Sequence, residues 1–285
     1  MPAELTPGVA NRVGEGVLRL LAPNAGLMTG PGTNTYLLGD TEVAVLDPGP
    51  AIDKHIEGIL QGAPGPIKWI LVTHTHPDHS PAAGKLAAAT GAELLGQPPP
   101  DGPIQDKTFA PDRILQDGDL LETKEFQLRA VHTPGHASNH VCYRHESLRW
   151  LFTGDHILSG STVVIDPPDG DMKHYLESLR LLKSLDLAAL APGHGPIIEN
   201  PDETVDWLIN HRMKREAKVV AALREHPALT VRDLTPFVYD DVDKKLHRLA
   251  ERSLLAHLLK LVTDDSAFRE NEKWHLVRDI GKLST

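Results

Sequence analysis

The sequence predicts a mixed α/β (α+β) protein: sheets covered by helices over residues 1–200, then a small, mostly helical unit over 201–285. Three observations carry this expectation. Short apolar runs alternate with Gly/Pro turns and helical patches through the first two-thirds of the 285 residues. The composition shifts at Glu199-Asn200-Pro201. Beyond it, three helices and a strand pair in ~85 residues outline a helix-turn-helix or winged-helix unit.

Taken in order, Val43-Ala44-Val45-Leu46 reads as a buried strand stopped by Asp47-Pro48-Gly49. Lys68 to Thr73 reads as a second, ending at His74. Ser80-Pro81 offers an N-cap and a first-turn proline for a helix through Thr90, closed by Gly91. Phe126 to Val131 alternates as a strand and ends at His132-Thr133-Pro134-Gly135-His136. Leu148 to Phe152 and Leu187 to Ala191 follow, ending at Thr153-Gly154-Asp155 and Pro192-Gly193-His194-Gly195. The Pro-rich stretch from Gln97 to Pro103 reads as a surface connection. Helices are expected at Asp202 to Glu225, Val231 to Val238 and Asp241 to Val262, then a strand at Lys273 to Val277.

Charge narrows the partners. The net of −10 falls entirely on residues 1–201, with 14 basic and 24 acidic residues; the rest is neutral, 15 against 15. Such a body is a poor general polyanion binder, and double-stranded DNA is not an expected partner. Cys142 is the only cysteine, which excludes an intrachain disulfide. No run approaches the ~20 apolar residues of a membrane span. MPAELTPGVANRVGEG has neither an apolar leader core nor a transit pattern, so a cytoplasmic protein is expected.

Sixteen histidines are present, and their placement decides the chemistry. His74-Thr75-His76-Pro77-Asp78-His79 packs four ligand-type side chains between a buried strand and a helix start. Imidazole with carboxylate suits Zn, Fe or Mn better than Mg or Ca. His136, Asp155 and His194 each stand at another strand end, beside Gly or Pro. Four strand ends delivering His or Asp are hard to explain as packing.

The order His-x-His-x-Asp-His, Thr-Pro-Gly-His, Gly-Asp, Pro-Gly-His-Gly resembles the metallo-β-lactamase superfamily over residues of about 30 to 200. The resemblance implies an αββα sandwich with its site at one sheet edge and two divalent transition-metal ions, zinc first, with Fe or Mn as alternatives. His74, His76 and His136 would hold the first ion, Asp78, His79 and His194 the second, and Asp155 would bridge them. Asp155 and Asp78 are then the catalytic carboxylates, placed around a bridging hydroxide. True dinuclear β-lactamases usually lack that bridging carboxylate, which leaves β-lactam cleavage as promiscuous at most.

Gly32-Thr33-Asn34-Thr35-Tyr36, Ser159 to Leu179, Pro192 to Pro196 and the helical tail are similar to the β-lactamase-like protein 2 subgroup. That subgroup carries a winged-helix-like C-terminal domain, and its animal members cut single-stranded RNA. Similar proteins elsewhere are polyketide-pathway thioesterases. The leading expectation is therefore a phosphodiester of single-stranded RNA. A thioester of acyl-glutathione or acyl-carrier type is the alternative, with side activity on lactones or β-lactams. Asn34, Tyr36 and Tyr175 are substrate contacts by this resemblance alone. A rival of another class is a winged-helix DNA-binding regulator with a metal-sensing front domain. The oligomeric state stays open.

The remaining candidates have bland readings beside sharp ones. His132 and His140 either steady the ligands or merely cap and start strands. Asp47 ties the ligand loops together. His156, next to the bridging Asp, is expected to point to the opposite face. Lys244, Arg248 and Arg252 share one face at i, i+4 and i+8; a nucleic-acid contact is the sharp reading and a solvated face the bland one. His211-Arg212-Met213-Lys214-Arg215 is read the same way.

Overall fold

The computed structural model describes residues 6–277. The leaderless reading of the N-terminal stretch falls partly on residues 1–5, outside the described residues. The first sheet runs in chain order through β1 (Asn11–Gly14), β2 (Val17–Leu21), β3 (Asn34–Leu38), β4 (Val43–Leu46), β5 (Ile67–Leu71), β6 (Glu93–Gly96) and β7 (Arg113–Ile114). It is antiparallel as far as β4 and parallel from β4 to β7. The second is an antiparallel meander of β8 (Leu120–Glu122), β9 (Gln127–His132), β10 (Val141–His145) and β11 (Trp150–Gly154). β12 (Ala189–Pro192) adds parallel to β11.

Strand alternation sorts the core. Tyr36, Leu38, Ala44 and Leu46 face the second sheet and meet Leu128, Ala130, Tyr143 and Phe152. Leu37, Val43 and Val45 face the other way, onto α1 (Asp53–Gly62) and α2 (Ala83–Thr90) through Ile56, Ile59 and Leu86. Cys142, Leu151 and Leu190 face outward from the second sheet onto α3 (Met172–Leu182) and the start of α4 (Pro201–Glu225). The result is four layers, αββα. Full burial of each Leu, Val, Ile or Phe among these contributes roughly 1.5–3 kcal/mol.

Behind α4 lie α5 (Val231–Val238), a 3-10 turn (Lys244–Leu246), α6 (His247–Thr263) and the hairpin β13 (Ala267–Glu270) with β14 (Lys273–Leu276). They close round Leu234, Leu254, Leu258 and the 1%-exposed Trp274. This is the helical winged-helix unit expected from the sequence.

Two element starts differ from expectation. Ser80 caps nothing: its hydroxyl donates to Asp106 Oδ2, 2.6 Å away, and α2 begins only at Ala83 without a side-chain cap. The reason is backbone pairing. Gly49 N bonds His79 O at 2.9 Å and Ala82 N bonds Gly49 O at 3.0 Å, which pins 79–82 as turns against the end of β4. The last helix starts at His247 rather than Asp241, because Asp241 pairs with Arg215 and Asp243 accepts from Lys245 N. The 97–103 stretch is irregular, and its Pro98 carbonyl is tied to Asn139 Nδ2 at 3.2 Å.

Candidate metal centre and cleft

The parallel pair β4–β5 and the co-directional strands β9, β11 and β12 all end at one edge of the sandwich. Thr73 O accepts from Val141 N at 2.8 Å and Gly193 O from Asn34 N at 2.7 Å, which joins the two sheets there. Asp47, the His74–His79 run, His136, Asp155 and His194 follow these strand ends and converge.

Two groups of ligand atoms result: His74, His76 and His136 in one, Asp78, His79, Asp155 and His194 in the other. In the first, His76 Nδ1 lies 2.9 Å from His74 Nε2 and 3.0 Å from His136 Nε2. The outer nitrogens fix the tautomers. His136 Nδ1 donates to Val164 O at 2.8 Å. His74 Nδ1 donates to Thr73 Oγ1 at 3.0 Å, because that hydroxyl spends its own proton on Asp47 Oδ2. Both Nε2 lone pairs thus point at one His76 nitrogen, which can offer a proton to only one. A cation satisfies all three.

In the second group His194 Nε2 lies 3.2 Å from Asp78 Oδ2 and 3.3 Å from Asp155 Oδ1. His79 Nε2 lies 3.5 and 3.4 Å from the same two oxygens. Ligands held about 2.0–2.1 Å from a tetrahedral ion stand about 3.3 Å apart, so this spacing fits one. Asp155 Oδ2 turns to the first group, 3.7 Å from His136 Nε2, so one carboxylate reaches both. His79 Nε2, His194 Nε2 and Asp155 Oδ1 are buried without a hydrogen-bond partner. The outer nitrogens again donate outward, His79 Nδ1 to Asp47 Oδ2 at 2.9 Å and His194 Nδ1 to Gly32 O at 3.1 Å.

The electrostatics agree. Burial, with neighbouring imidazoles, pushes His74 well below the usual histidine range and His76 down to about 3, so both offer lone pairs. Burial would lower His194 too, but the Asp155 and Asp78 carboxylates beside its Nε2 lift it to about 10. His79 is raised by Asp78, Asp155 and Asp47 against its burial. In the second group protons stand where a cation's charge would.

Backbone shape permits this crowding. A Cβ on Gly193 would stand 2.8 Å from both Asp155 Oδ1 and His79 Cε1. Gly154 has φ +46°, and a Cβ there would strike Thr73 Oγ1 at 2.4 Å.

Other candidates are placed less favourably. Asn34, Tyr36 and Tyr175, expected as substrate contacts, are at most 1% exposed and spend their donors on backbone carbonyls: Pro192 and Gly195, Pro192, and His156 respectively. None of the three is among the residues that line the cleft described below. His132 bonds Leu115 O at 2.9 Å and meets no ligand. His140 stacks on His74, centroids 5.0 Å apart, with its Nδ1 on Thr133 Oγ1. His156 is buried against Tyr175 and His140. Sequence reasoning missed Thr73 and Val164, which orient His74 and His136; a hydroxyl immediately before the first ligand was the available sign for Thr73.

A cleft of about 420 Å³ opens over His76, Asp78, His136 and Asp155. Its walls include Leu27, Met28, Ile104, Leu158, Val163 and Leu249. Among the described residues its one guanidinium is that of Arg252, which pairs with Asp166 at 3.0 Å.

An αββα sandwich with paired His/Asp groups at one sheet edge is an arrangement suited to a di-metal site. The chain belongs to the metallo-β-lactamase superfamily: residues 28–194 match its family model, and residues 230–274 match the beta-lactamase associated winged helix domain. It is 33% identical over 282 residues to a beta-lactamase-like protein 2 homolog of Caenorhabditis elegans, covering 96% of this chain and 92% of that one. It is also 33% identical to the thioesterase pkgB of Emericella nidulans, over 77% of this chain and 62% of that one. The fold superposes on a beta-lactamase domain protein from Burkholderia ambifaria with a TM-score of 0.81 at 21% identity, over 96% of each chain. Among the described residues no helix is long and apolar enough to cross a membrane.

Proposed function

We propose that the chain hydrolyses an acyl thioester carrying an apolar acyl group, in the unit drawn as residues 1–200, with 201–285 walling one side of the cleft. The carrying observation is the lining: mostly apolar side chains above the carboxylates, and a single cation already paired with Asp166. A single-stranded RNA track would call for unpaired cations and stacking aromatics, and this lining favours the thioester over the phosphodiester expected from the sequence. The relative named a thioesterase supports the same choice.

His74, His76 and His136 would hold one divalent ion, Asp78, His79 and His194 a second, with Asp155 shared; the nitrogen-rich set suits zinc. Bound there, two such ions would polarise the scissile carbonyl and lower the pKa of a shared water toward neutrality. Asp155 fixes the spacing between the groups by offering one oxygen to each. Asp78 is the more open acid, its side chain 24% exposed against 11% for Asp155. With Oδ2 turned toward His79 and His194, its other oxygen would accept the attacking water's proton and return it to the departing thiolate. The apolar walls exclude bulk water from the acyl end and seat it by area burial.

Metal-quantified protein assayed on acyl-pantetheine thioesters, S-lactoylglutathione, fluorescent single-stranded RNA, a lactone and a cephalosporin tests the reading. Turnover led by the thioesters, rising with acyl length, is expected. Turnover of RNA alone would overturn it.

A further inference from the structure

A second cavity, of about 180 Å³, lies between α4, α6 and the Thr162–Val164 segment, and shares that segment with the catalytic cleft. Two guanidinium groups line it, and they differ in one respect. Arg215 is neutralised: Asp241 takes two of its hydrogen bonds, at 2.7 and 3.2 Å. Arg212 is not. It is 3% exposed, and among the described residues no carboxylate oxygen lies within 4 Å of it. Its Nη2 donates to Val163 O, its Nε has no partner, and the Tyr175 ring lies 5.3 Å away.

A guanidinium cannot shed its proton to escape burial. Leaving one buried without a counter-charge costs several kcal/mol, and one carbonyl plus an aromatic face offset only part of that. Among the described residues that line the cavity there is no acid to make up the difference. It offers instead the hydroxyls of Thr162, Tyr239 and Ser253, and His211, whose Nδ1 is also unpartnered.

We propose that this cavity is an oxyanion-binding site, which takes a phosphate, phosphate monoester or carboxylate group on Arg212. The planar fork suits such a group, and the three hydroxyls complete its donors. The site also touches the metal centre through adjacent peptides: Arg212 holds the Val163 carbonyl, and His136 Nδ1 holds that of Val164. An anion seated here steadies the segment that orients His136.

Sulfate titrated calorimetrically into the metal-loaded full chain, at constant ionic strength, tests this. One site of millimolar or tighter affinity is expected, weakened at least tenfold in Arg212→Gln and unchanged within twofold in Asp155→Ala. Absence of binding, equal binding in Arg212→Gln, or loss only in Asp155→Ala would overturn the proposal, the last placing sulfate on the metal centre. Selenate soaked into sulfate-free crystals needs no variant: an anomalous peak beside Arg212 supports the site, and peaks only elsewhere reject it. Binding is read without turnover, so failure of the thioester reading leaves this test intact.

Discussion

Asp47 Oδ2 lies 2.9 Å from His79 Nδ1, with both side chains at most 1% exposed, while the same carboxylate takes the Thr73 amide and hydroxyl. One buried acid therefore sets the tautomer of a ligand in each group: His79 directly, His74 through Thr73. Asp47→Asn keeps the volume but turns half of the acceptor into a donor facing N–H and O–H groups. Metal affinity should fall about 10- to 100-fold. A competitive chelator titration reads this, and wild-type affinity would remove Asp47 from the account.

Gly193→Ala places a methyl 2.8 Å from Asp155 Oδ1 and His79 Cε1, in backbone that cannot yield without moving His194. Loss of one metal equivalent per chain is expected, with about 1–3 kcal/mol of destabilisation. Elemental analysis and urea unfolding measure the two. Full metal content would show that the ligands sit farther apart than described.

Leu27 is 79% exposed at the mouth of the cleft, so Leu27→Ser should leave folding and metal content alone. If the mouth binds an acyl chain equally in ground and transition states, KM for long-chain thioesters rises about tenfold with kcat unchanged. An equal effect on acetyl and long-chain substrates would argue against an acyl path there.

Glu216 is buried between Lys260, at 2.9 Å, and His257. Burial raises its pKa, but hydrogen bonds from His257 and Lys260 outweigh this and hold it below the ordinary glutamate value of 4.5. A depressed folded-state pKa gives stability that is full above pH 4.5 and lost as pH falls through the lower folded value. Glu216→Gln should therefore cost about 1–2 kcal/mol at pH 7, with the gap to wild type narrowing below pH 4.5. Urea midpoints from pH 7 to 3.5 follow it; a constant gap would mean that the charge is irrelevant.

The His74–His79 run was legible because its ligands are local in sequence and follow a strand whose apolar run stops there. His136, Asp155 and His194 were legible for the same reason at other strand ends. What the sequence could not carry is depth. Asn34, Tyr36 and Tyr175 have substrate-contact chemistry, yet tertiary packing turns their donors onto the backbone. Arg212 and Arg215 read as part of a solvated basic face, but α4 packs against both the second sheet and α5, and these two arginines lie on its buried side while Met213 and Lys214 stay exposed. Ser80 had the right type for a cap, and a backbone ladder to Gly49 displaced the helix start. Local chemistry was readable; which side of an element faces inward depended on neighbours remote in the chain.

Anomalous diffraction at the zinc edge, from crystals of the zinc-loaded chain, is the most direct test of the central claim. Two peaks are expected, one against His74, His76 and His136 and one against Asp78, His79 and His194, each within bonding distance of a different Asp155 oxygen. A single peak, or a pair that leaves Asp155 or His194 unbound, would contradict it.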